Sequence, residues 1–388
     1  MGIWDEQGKA MADAGRPYAD AADAEITRLR ADLAACKTGR ASDIASRDAR
    51  IAALEERIAE LEAAKPKPPT PTPSALKPGL RGLVTTDPAY VAANIPYATF
   101  ASTKPKWRDH NPSPDVFNFT SIDTMLAKYP KLKFRLRFMA GTHAPDWVKA
   151  RSGGAIQHVP NTATGATGAV PRFWTENYYN DYMKFMKAIA DKYESNPQVV
   201  EIPNSLTTTI YAEPFIINAD PATVTRYWNA GYRFPLVQTN LMRSVQDMMR
   251  LFPTTRISLA GHGKWERIID GKMNYDWPSL RGAFNELIDA YGPRLVIDDH
   301  GLGADDTIGT PQPRAVATGW YNYMAGLQPT DQTYGWQFTP KDYSMEVAAE
   351  MGVKMGARFL EFAGFNRIPE PKRQQLHNAC IANGKDKP

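Results

Sequence analysis

The chain has 388 residues, of which 43% are hydrophobic and 23% charged, with a formal net charge of +4. That length allows two or three structural units and a sizeable core, while so small a charge gives no case for nucleic acid as a partner. No apolar run reaches the ~18 residues of a membrane span, so no membrane partner is expected.

The opening, MGIWDEQGKA, lacks a basic start followed by an apolar stretch and does not read as a secretory signal. Residues 1–19 are set apart as an N-terminal segment. Residues 20–64 are rich in Ala, Glu, Arg and Leu and contain no proline. Apolar residues fall at Ile26, Leu29, Leu33 and Cys36, then at Ile44, Ile51, Leu54, Ile58 and Leu61. The 3-4-3 spacing within each group is the seam of a coiled coil, broken once around Gly39. Helices of this kind gain stability by association, so a homo-oligomer, dimer or trimer, is expected through this segment. Glu55, Arg57 and Glu62 flank the seam, where charges choose partners. Residues 65–79, KPKPPTPTPSALKPG, alternate proline with other residues and read as a stiff, extended linker.

From Leu80 to the end of the chain, short β-rich segments alternate with helical ones. Strands are expected near Arg81–Thr85, Tyr97–Ala101, Lys133–Phe138, Val199–Ile202, Arg256–Ala260, Arg294–Asp298, Gly335–Phe338 and Arg358–Phe362. Eight strands with helices between them predict an α/β fold, a (β/α)8 barrel over residues 80–388. No Gly-rich phosphate turn follows the first strand, which argues against an open doubly wound sheet. Asn177–Tyr193 is the clearest helix, with Tyr182, Phe185, Met186, Ile189 and Tyr193 on one stripe and Asn196-Pro197 beyond its end. Further helices are expected at Pro221–Ala230, Val237–Leu251, Trp277–Ala290 and Met345–Met355. The polar loop Arg151–Val170 is long enough for a functional lid or a disordered insert.

Barrels of this kind keep their working residues at the C-terminal strand ends. There the sequence offers Trp107, Arg108, His143, Trp147, Asn204, Tyr211, His262, Trp265, His300, Trp336 and Gln337. Indole rings stack on the C–H faces of sugars, and the polar groups suit hydroxyls, so these are the candidate carbohydrate-binding residues. Glycoside hydrolysis needs two carboxyl groups flanking one bond. Glu213 is the candidate acid, Glu361 the candidate partner, and Asp299 the reserve. The bland alternatives are a helix-start carboxylate for Glu213, a pairing of Glu361 with Arg137 or Arg358, and polar filler for Asp298 and Asp299. HExxH, G-x-S-x-G and P-loop motifs are missing. The four strand-end histidines, His110, His143, His262 and His300, fit no ligand spacing. With only Cys36 and Cys380 and no CxxC, a zinc site is unexpected, and neither metal nor cofactor is called for.

FNFTSIDTMLAKYPKLKFRLRFMAGTHAPDWV, residues 117–148, resembles the passage from strand two to strand three in the large retaining (β/α)8 clan of glycoside hydrolases, which includes β-galactosidases. VPRFWTENYYNDYMKFMKAIADKYESNPQVVEI, residues 170–202, resembles the helix leading into their fourth strand. The resemblance implies an acid/base Glu directly after an Asn at the end of strand four, and a nucleophile Glu at the end of strand seven. Here Asn204 is followed by Ser205, and Gln337 stands at the strand-seven place. The layout of coil, Pro/Thr linker and barrel is similar to minor tail proteins of actinobacterial phages. That likeness implies a virion protein, assembled in the host cytoplasm with other tail proteins, whose barrel recognises cell-envelope polysaccharide at the host surface. An active hydrolase using Glu213 with Glu361 or Asp299 is the alternative.

Overall fold

In the computed structural model the chain divides into two compact units, Met1–Pro69 and Thr70–Pro388. The structure describes residues 28–30, 32, 50, 52–54, 56–57 and 76–384, the last stretch except 161–166, 207–212, 215, 217–218, 262–265, 276, 303, 306–311, 314–317, 328–332, 339–344 and 363–366. The expected coiled coil with Cys36, the N-terminal segment and most of the linker therefore lie largely outside the described residues. No described helix is long and apolar enough to cross a membrane.

Eight parallel strands close into a barrel. Numbering the barrel strands in chain order, they are β1 (Gly82–Thr85), β2 (Phe100–Thr103), β3 (Lys133–Leu136), β4 (Val199–Pro203), β5 (Arg256–Gly261), β6 (Leu295–Leu302), β7 (Thr333–Phe338) and β8 (Phe359–Phe362). Each pairs with its sequence neighbours, and β8 closes on β1, with Gly82 beside Phe359 and Thr85 beside Phe362. All eight expected strands are present. β2 begins later than the sequence suggested, because Tyr97 and Ala98 belong to the turn that follows the first helix.

The helices lie between the strands: α1 (Pro88–Asn94), α2 (Thr120–Lys128), α3 (Asp146–Arg151), α4 (Glu176–Tyr193), α5 (Pro221–Asn229), α6 (Phe234–Leu251), α7 (Trp277–Tyr291), α8 (Thr318–Gly326), α9 (Met345–Lys354) and α10 (Glu370–Asn383). Their starts follow capping chemistry. Asp87 accepts hydrogen bonds from the N–H groups of Ala89 and Tyr90 ahead of α1, and Asp220 accepts from Thr223 ahead of α5; both helices begin with proline. The expected stripe of α4 is buried along its whole length, Tyr182, Phe185, Met186, Ile189 and Tyr193 included. The long loop after α3 forms a small antiparallel hairpin, Ile156–His158 against Gly168–Val170.

Side chains inside the barrel stack in levels. At the floor, Val84, Phe100, Val200, Val296 and Phe359 form an apolar cluster sealed by Leu80. Period-two alternation then places Arg135, Ser258, Asp298 and Glu361 one level up. A register shift where β3 meets β4, between Phe134 and Arg135, brings Glu201 to the same level. The chain enters this floor through Lys77. Its N–H donates to Thr254 O at 2.9 Å, and its Nζ donates to Tyr193 O, Val199 O and Thr255 Oγ1 at 3.2, 2.9 and 2.7 Å. Burial lowers the Lys77 ammonium to about 8, against the pull of Glu194.

Gly82 opens β1 with φ +72°, a conformation that favours glycine. A Cβ there would stand 2.5 Å from the His377 ring of α10. That close approach lets the Leu83 N–H donate to His377 Nδ1 at 3.2 Å.

Candidate functional site

The sequence KFRLRF places Arg135 and Arg137 two residues apart on β3 and its extension, so both point into the barrel. Arg135 is fully buried and meets three carboxylates. Its Nε lies 2.9 Å from Glu201 Oε1, its Nη1 donates to Glu361 Oε2 at 3.1 Å, and its Nη2 contacts Asp298 Oδ2. Arg137 Nη1 donates to Glu361 Oε1 at 2.8 Å, and its Nη2 stands 3.1 Å from His300 Nδ1. That same Nδ1 donates to Glu213 Oε1 at 2.6 Å, while Nε2 donates to Asp298 Oδ2 at 3.1 Å. Glu213 follows β4 and Glu361 sits on β8, strands diametrically opposed in the barrel order. The two sequence-chosen acids thus converge from opposite walls, and Arg137 and His300 fill the space between them.

The electrostatics follow from how cations are shared. Burial alone would raise every one of these acids. For Glu361 that effect is outweighed by Arg137 and Arg135, and its carboxyl falls to about 2. For Asp298, Arg135 and His300 win and hold it far below the usual carboxylate range. For Glu213, His300 and Arg137 win over burial and lower it. Glu201 behaves oppositely. Burial dominates, Arg135 offsets it only in part, and the carboxyl rises to about 7. Among the described residues Arg135 is its one ion-pair partner, and that guanidinium is divided among three acids. His300 is opposed by burial and by Arg137, yet Asp298 and Glu213 raise it overall. The two carboxylates flanking its ring nitrogens thus favour its protonated form.

The remaining sequence candidates scatter. Asp299 is buried on the other face of β6 from Asp298, where its Oδ1 accepts from the Gly301 N–H at 2.6 Å; strand parity sends it away from the interior. Trp107 is no rim residue. It is completely buried, stacked on Phe185 at 5.3 Å between centroids and met edge-on by Tyr178 and Tyr182, and its indole N–H donates to Asn111 Oδ1 at 3.1 Å. Asn204 is also internal, its Nδ2 donating to Ser244 Oγ at 2.7 Å and its Oδ1 accepting from the Leu206 N–H at 3.0 Å. Trp147 and His143 are half-buried and Arg108 is exposed, all on the segments that leave β2 and β3 at the C-terminal end. Tyr211, His262 and Trp265 lie outside the described residues. The backbone register sets Trp336 beside Leu360 and Gln337 beside Glu361. Among the described residues no group of three or more His, Cys, Asp or Glu is arranged to hold a metal ion.

Arg135, Glu201 and Asp298 were missed as members of this cluster. Parity held a signal: two arginines spaced by one residue in an apolar strand imply a charged interior face.

Fold and site together define a class, a (β/α)8 barrel with a buried ionic centre at its C-terminal end. Neither a protein-family profile nor a curated protein matches the sequence. Among solved structures, the chain is similar to endo-glycoceramidase II from Rhodococcus sp. in its lactosyl-enzyme intermediate, at 16% identity and a TM-score of 0.43, covering 75% of this chain and 74% of that one. It is similar to the catalytic domain of β-amylase from Paenibacillus polymyxa at 13% identity and a TM-score of 0.46, over 79% and 98% of the two chains. A further glycoside hydrolase gives 10% and 0.46, over 76% and 91%. Likenesses of this size assign neither a substrate nor a residue role to this chain.

Proposed function

We propose that the barrel binds carbohydrate at its C-terminal mouth and, in this arrangement, recognises it without cutting it. One observation carries the second half: the space between Glu213 and Glu361, where a scissile bond and a water would have to sit, is occupied by the Arg137 guanidinium and the His300 ring. Both acids are also held ionised, so neither is poised as a proton donor at neutral pH. Support for a sugar ligand comes from the hydrolase-like stretches 117–148 and 170–202, and from Trp147, His143 and Arg108 on the segments at that end. The finer reading, a phage tail protein in the virion, oligomeric through residues 20–64, joined to other tail proteins and acting on envelope polysaccharide, rests on the order of coil, linker and barrel. Repeated mouths on an oligomer would raise avidity without strong single-site affinity.

A second reading, active hydrolysis, is favoured by the convergence of Glu213 and Glu361 from opposed strands. It requires Arg137 and His300 to swing aside. A glycan screen with parallel detection of reducing ends separates the two. Retention of glycan without release is expected. Release that Glu213→Gln abolishes, with the fold intact by circular dichroism, would replace recognition by catalysis, and retention of no glycan at all would end the carbohydrate reading.

A further inference from the structure

The charges of the mouth divide between its bottom and its rim. At the bottom of the mouth, one level above the apolar barrel floor, Arg135, Arg137 and His300 face Asp298, Glu361 and Glu213, with the Glu201 carboxyl raised to about 7. Cations and anions there nearly cancel. The charge that an approaching molecule meets is therefore set by the rim.

Among the described residues, the cationic part of the rim is built by the chain leaving β2. It stays extended beside β3: Met139 N–H donates to Pro105 O at 2.7 Å, Trp107 N–H donates to Met139 O at 3.0 Å, and Lys106 bridges Met139. Alternation from the buried Ser102 sends Lys104 and Lys106 toward the barrel axis. Both are exposed, as is Arg108 in the next turn. Lys104 overhangs the ionic centre. The residue is exposed as a whole, yet burial around its ammonium is the largest cause lowering its pKa, followed by Arg137, while Glu361 and Glu213 pull the other way. Farther out, His143 is kept neutral by partial burial and by the positive charge of Arg108 and Lys106, and its Nδ1 is buried without a hydrogen-bond partner. Opposing charge is sparse. Asp109 lies 3.9 Å from Arg108, and Asp146 is taken by Lys149 at 3.0 Å.

We propose that the glycan taken by this mouth is anionic, with carboxylate or phosphodiester groups running along Lys104, Lys106 and Arg108. The proposal rests on the carbohydrate reading above and deepens it. A neutral sugar would leave the like charges of Lys104 and Arg137 uncompensated by the ligand, whereas an anion relieves that repulsion and gains charge-assisted hydrogen bonds.

The test compares three probes by calorimetry on the full chain: oligogalacturonate for the carboxylate, a glycerol-phosphate teichoic chain for the phosphodiester, and neutral β-galactan. One acidic probe is expected to bind at least about tenfold more tightly than the galactan. That preference should shrink as NaCl is raised from about 50 to about 300 mM. It should vanish in the triple variant Lys104→Gln, Lys106→Gln, Arg108→Gln, whose substitutions are exposed and should leave the circular dichroism unchanged. Galactan binding as tightly as both acidic probes, or a triple variant that keeps the preference, overturns the proposal and leaves the carbohydrate reading standing. Binding of no probe removes both.

Discussion

Glu201→Gln should flatten the pH dependence of stability on the alkaline side. In the folded protein the Glu201 carboxyl sits at about 7, against an ordinary value of 4.5. A carboxyl raised in this way adds stability that is complete below its ordinary value and is lost as pH climbs through the folded one. A gap of that size corresponds to about 3 kcal/mol in full, of which roughly 2–3 kcal/mol disappears between pH 5 and pH 8. The glutamine mimics the protonated acid in shape and cannot ionise, while Arg135 keeps Asp298 and Glu361 as partners. Urea unfolding midpoints measured at pH 5, 6, 7 and 8 read the effect directly. Wild type should fall steadily, and the variant should fall less, so that the two curves converge or cross toward pH 8. Parallel curves would refute the reasoning, because they would mean that Glu201 titrates alike in the folded and unfolded chain and that Arg135 offsets its burial in full.

Trp107→Ala should lower stability by about 3–5 kcal/mol, the cost of a large cavity in an aromatic cluster, and chemical denaturation should show it without any matching loss of glycan affinity. A fall in affinity with unchanged stability would return Trp107 to the binding surface. Gly82→Ala should cost about 1–3 kcal/mol, since it combines a positive φ with a clash against His377, and should lower the thermal midpoint. A shift within experimental scatter would mean that α10 gives way freely.

The barrel was legible because its signals are local and repeated. Arg256–Gly261 and Phe359–Phe362 are short apolar runs between helical patterns, and α4 shows its stripe directly. The candidate centre was legible only in part. Glu213 and Glu361 could be chosen as acids at strand ends, and Arg137 could be weighed as a partner of Glu361. The direction each side chain takes depends on strand parity and on one register shift. A single step along β6 separates Asp298, in the ionic centre, from Asp299, outside it. The shift opposite Val199–Glu201 is what admits Glu201, and no residue pattern announces it. Trp107 illustrates the complementary failure. An indole at a strand end reads as a sugar platform, but Phe185, Tyr178 and Tyr182 from α4 claim its faces first.

The anchorage of Lys77 has a mechanical consequence. Its ammonium grips the last turn of α4 and the starts of β4 and β5, and Leu80, three residues on, plugs the barrel floor. Tension arriving along the preceding chain is thus delivered to the end of the barrel opposite the mouth. Under load the first events would be slippage of one lysine from four acceptors and withdrawal of one leucine, and the ionic centre would be disturbed only after the floor had opened.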